Sequence, residues 1–225
     1  MDLQLQHRIA LVVGGTGLIG SAVVRRLREE GATVVVASRS TTDGTVLDGR
    51  DPDSVARAVE AVLAEHGRID ALVVTAAPSA RTLDPARNGD ADQVIDAVDA
   101  KAMVFLRIAD AVIPGMREAG YGRIVVLSGQ NAFITGNITG SVRNAATILV
   151  AKNLADSLAG TGVTVNAVSP GTVSETPETA VQPGMPGQSS PQQIADLIAF
   201  LSSPLSAVSG ESIAIGHRVR GVTLL

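Results

Sequence analysis

Three evenly spaced glycines, Gly14, Gly17 and Gly20, lie in the stretch Val13-Gly14-Gly15-Thr16-Gly17-Leu18-Ile19-Gly20. An apolar run over 9–13 precedes them, and a helical pattern begins at Leu18. Strand, tight turn and helix, in that order, are what a dinucleotide site requires. Gly14 can take turn dihedrals that a side chain would forbid. Gly17 lets the backbone approach a pyrophosphate, and Gly20 lets the helix pack against the strand. The helix entrance, with Thr16, Leu18 and Ile19 around it, offers free N–H groups and a positive dipole end to phosphates. In that context the glycines read as a phosphate cradle rather than as a turn alone.

A carboxylate about 20 residues beyond such glycines binds the adenosine ribose 2′-OH. Here the second strand ends Ala37-Ser38-Arg39-Ser40, with no carboxylate. Arg39, a charge-assisted donor, can hold a 2′-phosphate together with Ser38 and Ser40. The expected cofactor is therefore NADP(H) in preference to NAD(H). The plainer reading of Arg39 is a solvated loop arginine. Asp48 is placed to accept from an adenine amino group, and it reads equally well as a turn carboxylate.

The elements that must position these groups alternate. The pattern over 18–30 is helical, with Ile19, Val23 and Leu27 on one face, and Gly31 stops it. The β-branched run at 33–37 suits a strand buried on both faces. A short strand follows at 45–47. Asp51 and Pro52 open a helix that Gly67 ends. Strands at 71–74, 123–127, 164–168 and 212–215 are separated by helices at 91–116, at 141–158 with Ser141 as its cap, and from Pro191 with Ser190 as its cap. Residues 78–90 are loop-like, and 172–191 are an aperiodic loop rich in Pro, Gly, Ser and Thr. The expected fold is α/β: one Rossmann-type, doubly wound parallel sheet with helices on both faces, a single domain over 1–225. Ligands of such sheets sit at the carboxyl ends of the strands.

Composition narrows the function. Charged residues make up 18% of the 225 and the net charge is −4, against a basic nucleic-acid surface. Aromatics are 2% with no Trp, against a base-stacking platform. The chain has no cysteine, hence no disulfide and no thiolate site. His7, His66 and His217 fall in separate regions without ligand spacing, so no metal is expected. The first strand starts too early to leave room for a signal peptide, and no apolar run nears the ~20 residues of a membrane span. A cytoplasmic protein acting on a small molecule is expected, with neither nucleic acid nor membrane as partner.

Several blocks resemble the short-chain dehydrogenase/reductase family, and the likeness covers essentially the whole chain. They are the glycine loop, Asp48, Gly122-Arg123-Ile124-Val125-Val126-Leu127-Ser128, Val165-Asn166-Ala167-Val168-Ser169-Pro170-Gly171 and Pro191-Gln192-Gln193-Ile194-Ala195. The resemblance implies an NAD(P)-binding fold, with Pro170, Gly171 and Val173 on the nicotinamide side. It also implies homodimers or homotetramers formed through the two long helices. It puts 172–191 at the place of a substrate lid, and the glycine content suits a mobile or open one. Phe133 and Met185 stand as pocket residues or as loop packing.

The family's chemistry uses a Tyr as proton donor, a Lys four residues later, a Ser that polarises the carbonyl and an Asn in the long helix. The one tyrosine here, Tyr121, lies in Gly120-Tyr121-Gly122 and is followed four residues later by Val125. Registering the blocks puts Gly140 at the Tyr position, Asn144 at the Lys position and Lys101 at the Asn position. Ser128 falls at the Ser position, with Gly129 as its alternative. Lys and Asn are exchanged and the phenol is gone. Glycine donates no proton and an amide does not titrate near neutrality. Losing a positioned acid lowers rate by on the order of 10²–10⁴. Ordinary ketone reduction is therefore expected to be strongly impaired or absent. Three functions follow: an NADP(H)-binding member with non-redox chemistry or a ligand-binding role; a true oxidoreductase in which Lys101 or the substrate supplies the proton; and a non-catalytic subunit of a hetero-oligomer.

Overall fold

The structure, a computed structural model, describes residues 2–41, 44–78 and 82–221. Its strands are β1 (Ile9–Val13), β2 (Thr33–Ser38), β3 (Thr45–Val46), β4 (Ala71–Val74), β5 (Gly122–Leu127), β6 (Val163–Pro170), β7 (Thr172–Val173), β8 (Gln188–Ser189) and β9 (Ser212–Ile215). Seven of them form one sheet in the order β3-β2-β1-β4-β5-β6-β9, and every pair in it is parallel. β1 and β4 are buried at every residue because both their faces meet helices, which is why they are written as unbroken apolar runs. The strand order reverses between β1 and β4, and the crevice at their carboxyl ends is the natural ligand position.

The helices are α1 (Leu18–Glu29), α2 (Pro52–His66), α3 (Ala91–Val98), α4 (Val104–Glu118), α5 (Ile138–Ser157) and α6 (Pro191–Ser202). Asp51 caps α2 by accepting from Asp53 N, and Gly67 ends it at φ 77°. Ser190 and Gln193 form a reciprocal capping box on α6. Apolar faces of α2, α4 and α5 cover one side of the sheet around Leu11, Leu72 and Ile124. Those of α1 and α6 cover the other around Val12, Val73 and Val125.

Three local expectations are corrected. The helix expected at 91–116 is two α-helices joined by a π-helical segment, Asp99–Met103. α5 starts at Ile138, because Asn137 is its cap and accepts from Gly140 N at 2.8 Å. Ser141 instead donates from Oγ to Ile134 O at 2.6 Å. The aperiodic 172–191 stretch contains a two-stranded sheet, β7 with β8.

Candidate functional site

The glycine loop between β1 and α1 is built as the sequence predicts. Gly14 has φ +85°, and a Cβ there would lie 2.6 Å from Ala76 N. A Cβ on Gly20 would collide with the Gly14 carbonyl oxygen. At Gly17 a Cβ would meet that oxygen alone, at 3.4 Å, so the backbone there faces open space. Gly17 is also the N-cap of α1, no side chain caps the helix, and its first turn carries no acid. The leading end of α1 is thus left to a ligand.

A cavity of about 590 Å³ opens from this loop along the end of β2. Gly14, Thr16, Gly17, Ser38, Arg39, Ser40 and Asp48 all line it. Ser38 Oγ is buried without a hydrogen-bond partner. Arg39 beside it is exposed and has no ion pair among the described residues. Asp48 keeps both of its readings: it lines the cavity, and one carboxylate oxygen accepts from Arg50 N at 3.0 Å. A bare glycine surface, an uncapped helix end and an orphaned hydroxyl beside a free guanidinium fit a dinucleotide. Leu18, Ile19 and Gly20 form the first turn of α1 just beyond this wall. Pro170, Gly171 and Val173 lie at β6 and β7 and do not line this cavity. A Cβ on Gly171 would collide with Gly187 O, so the backbone of the 172–191 segment presses on it.

The second cluster lies where β5 meets α5 and the π-helical segment. Lys101, Ser128 and Asn144, far apart in sequence, come together as the registration predicts. Lys101 Nζ donates to Asn144 Oδ1 at 2.7 Å and to Ser128 O at 3.0 Å. Ser128 Oγ donates to the backbone oxygen of Asn144 at 3.0 Å. Ser128 supplies both contacts, while Gly129 is a close-approach position where a Cβ would lie 3.2 Å from Asn144 Nδ2. All three side chains are buried. Gly140 lies on the same face of α5, under the Asn137 side chain. Burial, and then the charge of Arg143, push the Lys101 amine down from its ordinary value to about 7. The Lys101 amine is therefore held by two neutral oxygens, and the serine hydroxyl is committed to helix backbone.

Tyr121 is at the opposite end of β5, its ring between Arg8 at 4.1 Å and Arg123 at 4.4 Å. Asp84 and Asp90 cap short helical starts by accepting from Ala86 N and Gln93 N. Phe133 stacks under Arg218, and Met185 is exposed. Among the described residues no group of three or more His, Asp or Glu could hold a metal, and no helix is long and apolar enough to cross a membrane.

Sequence reasoning missed two features. Arg143, between Gly140 and Asn144 in the helical register, is 6% exposed. Its signal was its place on the inner face of α5, at i+3 from Gly140. The other is how the 172–191 segment is held: Gly187 N donates to His217 O, Gly184 N to Arg220 O, and Arg220 N to Met185 O. Gln130, 1% exposed, adds bonds to His217 O and from Val219 N. Expected to suit a mobile or open lid, the segment is tied to the chain's last strand extension by these bonds.

Sheet, switch point and glycine cradle together define a Rossmann-class, dinucleotide-binding α/β protein. A family model described as Enoyl-(Acyl carrier protein) reductase matches residues 16–217. The 3-oxoacyl-(acyl-carrier-protein) reductase FabG of Thermotoga maritima is 29% identical over 244 residues, covering 95% of this chain and 98% of its own. Subunit BbsC of the (2S)-((R)-hydroxy(phenyl)methyl)succinyl-CoA dehydrogenase of Thauera aromatica is 32% identical over 238 residues, covering 92% of each. Among solved structures, that of gox2181 matches with a TM-score of 0.81 at 26% identity, covering 95% of this chain and 96% of that one. The chain belongs to the short-chain dehydrogenase/reductase family, oxidoreductases that bind nicotinamide cofactors.

Proposed function

We propose that this protein binds NADP(H) in preference to NAD(H) and has lost the family's ordinary carbonyl reduction. Its role is then non-redox chemistry or the binding of a small-molecule ligand. One observation supports the reading: Lys101, Ser128 and Asn144, which the registration above puts with Gly140 at the family's proton-relay positions, are tied to one another by hydrogen bonds. A bound nicotinamide supplies or takes a hydride. The residues here would hold the cofactor through the glycine loop, Ser38, Arg39 and Ser40, and no committed hydroxyl or amide among them is free to pass a proton. Pro170, Gly171 and Val173 would border the nicotinamide, and 172–191 would form a fixed wall of the substrate space rather than a moving lid.

Titration of the purified protein with NADPH and NADH, by fluorescence or calorimetry, tests this. The expected result is binding that favours NADPH, and Arg39→Ala should weaken NADPH by about 10–100-fold while sparing NADH, the span of a charge-assisted hydrogen bond. Binding of neither nucleotide would sink the reading, and fast carbonyl reduction would sink its second half.

A second reading has its own support. An amine held at about 7 is matched to acid catalysis near neutrality, so Lys101 itself could protonate an alkoxide in a true oxidoreductase. Turnover and cofactor affinity that survive Lys101→Met would end that reading. Ile138, Val142 and Leu149 form an exposed stripe along α5, with Ile95 exposed on α3. It supports assembly through these helices, as a homo-oligomer or with another chain, and one relative is itself named a dehydrogenase subunit.

A further inference from the structure

Lys101 and Arg143 are neighbouring cations, 5% and 6% exposed. Among the described residues Lys101 bonds only neutral oxygens, and Arg143 has one partner, Pro78 O at 3.2 Å from Nη1. Arg143 Nε is buried with no partner among the described residues. Neither cation has a carboxylate within ion-pair distance among the described residues. Neutral carbonyls satisfy donors but do not neutralise charge, and a buried cation without a counter-ion is a standing penalty. Where such a group also borders a cavity, an anion from outside the chain can supply the missing charge.

Arg143 also lines a cavity of about 340 Å³ in the crevice between α3 and α5. Pro78, Leu83 and Ala97 give it apolar wall, and Gln93 is a further polar group. The remaining charges on its wall among the described residues are Arg87, Asp92 and Asp96. Arg87 is already held by Asp90 through two bonds, and Asp96 by Arg50 at 2.8 Å. Among the described residues, Arg143 is thus the one buried, unmatched charge on the wall.

We propose that Arg143 anchors a small organic carboxylate in this crevice. The guanidinium fork matches a planar, singly charged carboxylate. The apolar wall suits its carbon skeleton. Asp92 and Asp96 on the same wall oppose a dianion, which argues against a phosphate ester. The two cavities share Pro78 and Asp96, so the carboxylate lies beside the nucleotide cavity without depending on what fills it.

The test uses benzoate, its neutral counterpart benzamide and inorganic phosphate, each titrated calorimetrically into the intact protein. Benzoate is expected to bind at least about tenfold more tightly than benzamide, the scale of a charged hydrogen bond, and more tightly than phosphate. Arg143→Met should abolish the preference for benzoate, and Arg143→Lys should keep part of it. Leu83→Trp, which adds bulk to the crevice's apolar lining, should block benzoate with Arg143 in place. Arg143→Met is also expected to unfold no more readily than the parent, since it removes an unmatched charge. NADPH titration of the same samples reads the nucleotide site separately. Equal binding of benzoate and benzamide, benzoate affinity unchanged by Arg143→Met, or tighter binding of phosphate would each overturn the proposal.

Discussion

The two ends of the central sheet both bury cations, and they treat them differently. At the amino end, Asp70 accepts from Arg8 Nη1 at 3.0 Å, Arg68 Nε at 2.9 Å and Ile9 N at 2.8 Å. Arg123 there spends its donors on the carbonyls of Ser203, Gly122 and Gly162 and lies over the Tyr121 ring. The carboxylate answers the partly exposed Arg8 and the exposed Arg68, and the aromatic face answers the buried Arg123. At the carboxyl end, Lys101 and Arg143 meet neutral oxygens only. The contrast lies in closure: Arg123 is enclosed by three carbonyls and a ring, whereas Arg143 keeps an Nε unpartnered among the described residues and borders a cavity.

Removing the answering carboxylate should have the largest effect. Asp70→Asn leaves the arginines without a counter-charge, and because Arg8 and Arg68 are partly exposed the loss is expected to be about 3 kcal/mol, at the low end for a broken buried pair. Chemical denaturation reads it, and nucleotide affinity of the folded fraction should not move. A neutral result would break the contrast.

The carboxyl end should instead show itself through pH. Lys101 sits at about 7, below its ordinary 10.5, so between these values the unfolded chain holds the proton and the folded chain does not. Stability therefore rises with pH across that window, by up to about 1.4 kcal/mol per unit, and the full penalty is present below about 7. Lys101→Met should lack that slope, and denaturation curves of both proteins run in parallel across the window would show it. Equal slopes would place the amine in a better-solvated or better-paired setting than described. The smallest effect belongs to Tyr121→Phe. Its hydroxyl is buried with no partner among the described residues, so stability should stay level or rise by up to about 1 kcal/mol, with nucleotide binding untouched.

Much of this was legible in the chain because its signals are local. The run at 9–13, the Asp51-Pro52 start, the Gly67 stop and the Ser190-Pro191 start each depend on neighbours in sequence, and each landed where expected. The meeting of Lys101 with Asn144 came from block registration, which carries long-range information that no single stretch contains. What escaped depends on distant partners. Arg143 is buried because of Pro78 and the crevice around it. The 184–187 backbone is pinned by 217–220, and no composition of either segment announces the other. The start of α5 was misplaced because Ser141 and Asn137 are both good caps, and the choice rests on which side chain reaches a backbone N–H.

The π-helical segment carries a consequence in angular phase. Each residue of an α-helix advances the side chains by about 100°. A wider turn at Asp99–Met103 absorbs an extra residue without breaking the rod, so α3 and α4 point their inner faces independently. Winding all five residues as α-helix, with none removed, would rotate Phe105, Ile108 and Val112 by about that angle relative to α3, out of the core they fill, whereas removing one residue together with the bulge would leave them near their present phase. How many residues stand there matters more than which ones: the segment is a spacer, and its length keeps Lys101 aimed at Asn144 while α4 remains seated on the sheet.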